Sequence, residues 1–324
     1  LLAGEDARWQ ATGQTPLELG IPEGLRDVIG KRLTRLSEEC NRVLSMAAVI
    51  GRDLSLQVLQ EVAALPEDEL FATLEEAQSA GIIEERSSVG AGVGFRFAHA
   101  LFRQTLYEEN FAPRRLRLHQ QVGRALEEVY AGHPEEHAAE MAEHFAQSTE
   151  REDLEKALKY GEVAAEQAIG VYAYGEAARL LAQALQVQEV LAPDDRARRC
   201  DLLLALGGAL TPAGEPRRVY DTVAPEAFAL AEAMDDCIRL SRTCVIALDA
   251  INRYGAGWRW RSPEFRRWAE RADEYSEPET TDRVSADDYM HLASLAEDNL
   301  TGARAFIIHA IELARRLDDA NSLF

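Results

Sequence analysis

Three residues in the middle of the chain, His137, Glu140 and His144, carry side chains that can bind zinc. Their spacing of i, i+3 and i+7 places them on one face of a helix. A zinc protease instead has two histidines at i and i+4 with a glutamate beside the first, and that arrangement is missing here. We therefore expect packing or capping roles for these residues and no bound metal. A metallohydrolase that uses His137 and His144 is the alternative.

A second candidate for chemistry is the segment that contains Gly90, Gly92 and Gly94. A phosphate-binding loop follows a strand and leads straight into a helix, and its ATP-binding form also needs Gly-Lys-Ser/Thr. Here the glycines lie between two predicted strands, which indicates the tip of a hairpin. The sequence contains no Walker loop and no complete set of catalytic residues. We therefore expect neither enzymatic activity nor a cofactor in this chain.

Residues 258–268 differ from the acidic background because they hold three of the four tryptophans and four arginines. Tryptophan and arginine are enriched at binding hot spots, and arginine stacks on aromatic faces. The candidate partner-binding residues are Trp258, Arg259, Trp260, Arg266, Arg267 and Trp268. The alternative is a loop between helices that packs against its neighbours, with arginines balancing nearby acids. The sequence leaves both open.

A short strand runs into a helix around His99. Phe95 and Phe97 alternate with Arg96, which is the period of a half-buried strand, and the apolar residues after His99 follow helical spacing. The histidine therefore lies at a predicted helix N-terminus.

Upstream of this junction the sequence predicts helices and a β-hairpin. Pro22 and Ser37 suit helix starts, and Gly51 and Gly81 suit helix ends. The predicted strands are 82–86 and 93–97. Three helices followed by a small hairpin indicate a winged helix.

The winged helix is usually a DNA-binding fold whose third helix reads the major groove with basic or amide side chains. Here that helix carries acidic residues and no basic one; the acids are Glu67, Asp68, Glu69, Glu75 and Glu76. The net charge of −21 and the pI near 4.8 also argue against DNA and anionic membranes as partners.

From Asp153 to the end the sequence predicts pairs of helices. The segment 174–185 resembles the second half of a tetratricopeptide repeat, and Leu206-Gly207 suits a first repeat helix. Residues 230–236 and 313–319 resemble the same helix end two repeats apart. Because the spacing exceeds the usual 34 residues, we predict a mainly α protein whose winged helix is followed by an α-solenoid of degenerate tetratricopeptide-like pairs.

Composition is typical of a globular protein, with 28% charged and 47% hydrophobic residues. The sequence has no apolar run of about 20 residues and no signal peptide, and it begins with Leu1. We expect a cytoplasmic fragment of a longer protein. The four cysteines show no paired spacing, and we expect each to be reduced and buried; they are Cys40, Cys200, Cys237 and Cys244.

Two segments, Ile21–Leu56 and Phe95–Glu108, resemble the winged-helix arm of bacterial signal-transduction ATPases with numerous domains, the STAND family. The resemblance implies the C-terminal part of such a protein, as in multidomain adenylate or guanylate cyclases and LuxR-type large regulators. In the family, the histidine after the wing strand contacts the phosphates of bound ADP, and that role falls on His99. An aspartate often follows this histidine, whereas Ala100 follows it here.

The resemblance implies three regions. Residues 1–21 connect to an upstream ATPase domain, residues 22–130 form the winged-helix arm with the following helix, and residues 131–324 form the solenoid. We expect a regulatory fragment that couples a protein or small-molecule ligand on the repeats to the nucleotide state of that ATPase. The longer protein would bind ATP or ADP and could assemble into a nucleotide-dependent homo-oligomer. The alternative is a tetratricopeptide scaffold that binds partner proteins without nucleotide.

Overall fold

The structure, a computed structural model, describes residues 29–88, 92–254 and 259–318. Most of the described residues are helical, and a small sheet accompanies them. Contacts divide the chain into two compact units, one up to Ala125 and one from Leu126.

The first unit contains helices and a three-stranded sheet. After a helical turn at residues 29–33, its elements are α1 (Glu38–Ile50), β1 (Asp53–Ser55), α2 (Leu56–Ala63), α3 (Glu67–Ser79), β2 (Ile83–Ser88), β3 (Gly92–Phe97), α4 (Ala100–Glu109) and α5 (Ala112–Val129). The last helix, α5, continues across the boundary into the second unit.

The sheet has the order β1-β3-β2, and both neighbouring pairs are antiparallel. Strand β1 was not predicted. The glycines are also placed differently from the prediction of a hairpin tip. Gly92 and Gly94 lie within β3, and Gly90 lies outside the described residues. A Cβ at Gly94 would lie 3.0 Å from the Leu54 carbonyl oxygen, so a glycine lets β1 approach β3 closely.

The core of the first unit combines the inner face of the sheet with the helices around it. Phe97, Ile82 and Ile83 are fully buried, and the strands contact α2, α3 and α4. Helix α1 begins after Ser37, whose hydroxyl accepts a hydrogen bond from the Cys40 N–H at 3.1 Å, as the sequence predicts for an N-cap.

Helix α3 is tied to the start of α1 by Glu76. Its carboxylate accepts hydrogen bonds from both the backbone N–H and the hydroxyl of Ser37, each at 2.7 Å. These bonds hold the pKa of Glu76 below its usual range. Glu67, Asp68 and Glu75 remain exposed, so the outward face of α3 is acidic.

Among the described residues of the second unit, all regular secondary structure is helical. A 3-10 turn (Pro134–His137) precedes α6 (Ala138–Phe145), α7 (Arg151–Gly170), α8 (Tyr174–Leu191), α9 (Arg196–Leu210), α10 (Ala224–Ala233), α11 (Cys237–Tyr254), α12 (Pro263–Tyr275), α13 (Thr281–Ala296) and α14 (Leu300–Leu317). A helical turn (Pro216–Arg218) and a π-helical segment (Val219–Val223) lead without interruption into α10. Pro225 lacks an N–H, and it lies in the first turn of α10 directly after the π-helical segment.

Each helix of the second unit packs against helices one or two places along the chain, as in a repeat array. Small residues make this packing close. A Cβ at Gly207 in α9 would lie 2.7 Å from Ile246 Cδ1 in α11, so a larger residue there would force the Ile246 side chain to move. Asp235 and Asp318 both follow helix ends with left-handed backbone, at φ 54°. That the two helix ends correspond to each other two repeats apart stays a prediction.

Cys40, Cys200 and Cys244 are buried thiols, as predicted. The prediction for Cys237 is wrong, since this residue begins α11 and is exposed. Among the described residues, no helix has the length and apolar character needed to cross a membrane.

Candidate functional site

His99 is the residue just before α4, and its imidazole caps that helix. Its Nδ1 accepts a hydrogen bond from the Leu101 N–H at 3.1 Å. The predicted place of His99 at a helix start is confirmed. Because Nδ1 accepts, a neutral His99 carries its proton on Nε2. The side chain is exposed, and no residue in the described part of the chain forms a hydrogen bond with Nε2. An N–H donor is therefore presented at a helix N-terminus.

Two sets of contacts fix the strand before His99 and the helix after it. On the strand side, the Asp53 carboxylate of β1 accepts from Arg96 of β3 at 2.7 Å and from Arg86 of β2 at 3.0 Å. The bond from Arg96, with that from Arg86, holds the pKa of Asp53 below its usual range. On the helix side, Arg103 donates to the Ala48 carbonyl of α1 at 3.1 Å. The position of His99 is therefore set from both sides.

A second histidine of this unit, His119, is buried in α5. Its Nε2 lies 3.1 Å from the hydroxyl of Tyr107, and the two rings meet edge to face. Burial, together with the nearby charges of Arg103 and Arg115, lowers the pKa of His119 to about 4. His119 is therefore neutral at pH 7. The sequence analysis did not indicate its ring partner.

The arginine- and tryptophan-rich segment is described from residue 259 onward; Trp258 lies outside the described residues, and the Arg259 side chain is not described. Trp268 meets Phe228 of α10 edge to face, with ring centroids 5.5 Å apart. The Arg271 guanidinium lies over both rings, at 4.5 Å from the Phe228 centroid and 5.3 Å from that of Trp268. Trp268 therefore packs against other residues of the same unit.

The remaining candidates of this segment fall into two groups. Arg266 pairs with Glu270 at 2.7 Å and also with Glu297, so its charge is balanced within the chain. Arg267 is exposed, and Trp260 is partly exposed with the Arg261 guanidinium 4.8 Å from its centroid. The partner-binding role of these residues stays a prediction. Trp260 and Arg267 are the members of the set that a partner could reach.

The three possible zinc ligands are not arranged as one site. His137 stacks on Tyr130 with ring centroids 3.5 Å apart, and its Nδ1 lies 3.7 Å from the Glu140 carboxylate. His144 is buried. In the part of the chain that the structure describes, no group of three or more His, Cys, Asp or Glu residues could hold a metal ion.

A groove of about 610 Å³ lies on the second unit, and the sequence did not point to it. Helix α8 forms its floor with Gly175, Ala178 and Ala182, and amide side chains from α8 and the end of α6 border it. Two arginines at its edge are paired: Arg179 with Glu176 at 2.6 Å and Arg218 with Glu215 at 3.5 Å. The groove is polar, close to electrically balanced and within the usual size of ligand sites.

No protein-family model matches this sequence, and no curated protein matches it significantly. Among solved structures, the chain is similar to a signal transduction ATPase with numerous domains (STAND) protein with a tetratricopeptide repeat sensor from Pyrococcus horikoshii. The two are 12% identical, and the TM-score is 0.37. The match covers 92% of this chain and 47% of that one, so this chain spans about half the length of that protein.

Proposed function

We propose that this chain is the regulatory part of a STAND-type signal-transduction ATPase. It couples a ligand or partner protein on its helical repeats to the nucleotide held by an ATPase domain earlier in the same polypeptide. In this proposal the first unit is a winged-helix arm, and the second is a tetratricopeptide-like sensor array. ATP and ADP bind to the ATPase domain, and this chain contributes contacts rather than catalysis.

The order of elements in the first unit supports the winged-helix assignment. Three helices and three strands follow one another in the order α1, β1, α2, α3, β2, β3. Strand β3 lies in the centre of the antiparallel sheet. In a DNA-binding winged helix, α3 would be the reading helix. Its exposed acids Glu67, Asp68 and Glu75 would repel phosphate, which favours a role in protein contact.

The observation that carries the proposal is the geometry of His99. Its Nδ1 accepts a hydrogen bond from the Leu101 N–H, so the Nε2–H of the exposed ring remains for another acceptor. A donor at an exposed helix N-terminus is suited to a phosphate oxygen, because the helix dipole also favours an anion there. This is the chemistry that the resemblance assigns to His99.

The second unit supports the sensor role through its construction. Its main helix contacts join near neighbours, and an array built in this way can adjust to a ligand in parts. The polar groove beside α8 offers amide donors and acceptors for such a ligand.

Hydrogen exchange of the longer protein, measured with and without ADP, tests this coupling. We expect ADP to increase protection at the start of α4 and to change protection in α6–α8, because coupling must alter both regions. ADP binding that changes exchange in the ATPase domain and at α4 but leaves α6–α8 unchanged would contradict the coupling.

The second candidate function is a scaffold that binds a partner protein independently of nucleotide. The partly exposed Trp260 and the exposed Arg267 favour it, because such residues form binding hot spots in many interfaces. This candidate predicts that ADP alters exchange in neither unit.

A further inference from the structure

The first unit carries a basic pocket that the proposed function does not use. It is formed by one face of α5 and the facing side of α1, and it encloses about 400 Å³. We define the basic pocket by its lining residues: Met46, Pro113, Arg114, Arg117, Leu118 and Gln121. Met46 and Leu118 are buried and give it an apolar floor, whereas Arg114, Arg117 and Gln121 are exposed at its rim.

The two rim arginines are unpaired in the part of the chain that the structure describes. Within the described residues, neither guanidinium forms a hydrogen bond or an ion pair, although the chain has 56 acidic residues and a net charge of −21. Arg115 of the same helix behaves differently, since it donates to the carbonyls of Tyr107 and Asn110. Arg114 and Arg117 are therefore available to carboxylates from outside, which guanidinium groups bind with two parallel hydrogen bonds.

The same unit presents a surface of opposite character on α3. Phe71 is 37% exposed, and Glu67, Asp68 and Glu75 lie three or four positions from it on the same helix face. We call these four residues the acidic face. In the described part of the chain, none of its three carboxylates forms an ion pair, and α3 contains no basic residue. An aromatic ring surrounded by carboxylates matches an apolar pocket rimmed by arginines.

We propose that the acidic face of one copy of this chain docks into the basic pocket of a second copy. Phe71 enters the pocket above Met46, whose flexible thioether adapts to an aromatic ring. The carboxylates of Glu67 and Glu75 meet Arg114 and Arg117 at the rim. Among the described residues, none from α3 lines the pocket, so the acidic face of the same copy does not fill it.

This contact joins two different surfaces, so it is heterologous. Each copy keeps one free acidic face and one free basic pocket, and association can continue to a ring or a linear array. One helix face in one pocket buries less than the roughly 800 Å² per partner of a standard interface. We therefore expect weak association that depends on protein concentration and falls as salt screens the exposed charges.

Sedimentation velocity of the 324-residue chain, over a range of protein and salt concentrations, tests the proposal. The variant Arg114→Gln/Arg117→Gln removes the basic rim, and Glu67→Gln/Glu75→Gln removes the acidic rim. Each should weaken self-association about tenfold or more. A 1:1 mixture of the two should form dimers and nothing larger, because each variant keeps one intact surface of the pair.

The matched control is Arg304→Gln/Arg315→Gln, which removes two exposed arginines of α14 and should leave association unchanged. Phe71→Ala should weaken association without changing the net charge. A wild-type chain that stays monomeric at roughly millimolar concentration, or one whose association is the same in all these variants, overturns the proposal. In the first case, the basic pocket would belong to an acidic partner other than this chain.

Discussion

The two units of this chain differ in how each one is packed internally. In the first, β3 pairs with β1 and β2 and contacts helices from several parts of the sequence, so one core depends on all of them. In the second, the main contacts between described helices join helices one or two places apart. The first unit should therefore unfold as one body, and the second should be able to lose its structure in parts.

Two equally buried phenylalanines make this comparison testable. Phe97 in β3 is 1% exposed, and Phe265 in α12 is 0% exposed. Replacing either with alanine should cost about 3–5 kcal/mol. Hydrogen exchange should show that Phe97→Ala lowers protection throughout the first unit, whereas Phe265→Ala lowers it mainly in α11–α13. Loss of protection across the whole second unit in Phe265→Ala would show that the array is one cooperative body.

His119 should make the stability of the first unit depend on pH. Its folded pKa of about 4 lies below the value of 6.5 expected when the chain is unfolded, so the unfolded chain binds the proton more readily. The stabilisation is fully present above pH 6.5 and is lost as the pH falls from 6.5 towards 4. Its full size is up to about 3 kcal/mol.

Urea unfolding between pH 7 and pH 5, compared between wild type and a variant without His119, measures this effect. Wild type should lose stability over that range, and His119→Gln, which keeps a polar side chain near Tyr107, should lose less. The same slope in both proteins would mean that another group is responsible.

The smallest expected effect concerns the close approach of α9 and α11. Gly207→Ala places a methyl group against Ile246 and should cost about 1–3 kcal/mol. Ile246→Val removes the Cδ1 atom in contact, so the double variant should recover part of the loss. Gly208→Ala is the control on the same helix. It meets no atom within 4 Å and should stabilise α9 by up to about 1 kcal/mol.

Thermal unfolding of wild type, Gly207→Ala, the double variant and Gly208→Ala checks these values. Equal effects of alanine at positions 207 and 208 would show that close packing does not limit this part of the array.

Sequence patterns predicted those features that depend on local signals. Ser37 begins α1, His99 precedes α4, and Asp235 and Asp318 follow similar helix ends, because caps and helix termination are set by a few neighbouring residues. Strand β1 escaped prediction, since three residues are too few to show an alternating pattern.

Features made by distant residues were not predictable in this way. The ring contact of Tyr107 with His119 and the approach of Gly207 to Ile246 both depend on how helices meet. Cys237 is the first residue of α11, and its exposure likewise depends on which face of that helix packs against other helices. Local patterns therefore located His99, whereas the groove and the basic pocket required the folded chain.

ADP affinity of the longer protein is the most direct test of the account. Calorimetry on protein freed of nucleotide would compare wild type with His99→Asn and His99→Ala. Asparagine is a good N-cap and keeps the acceptor for the Leu101 N–H, but it lacks the outward Nε2–H. We expect both variants to bind ADP about 10- to 100-fold more weakly, the loss of one hydrogen bond to a charged group. Unchanged ADP affinity in both folded variants would contradict the account and leave His99 as the cap of α4 alone.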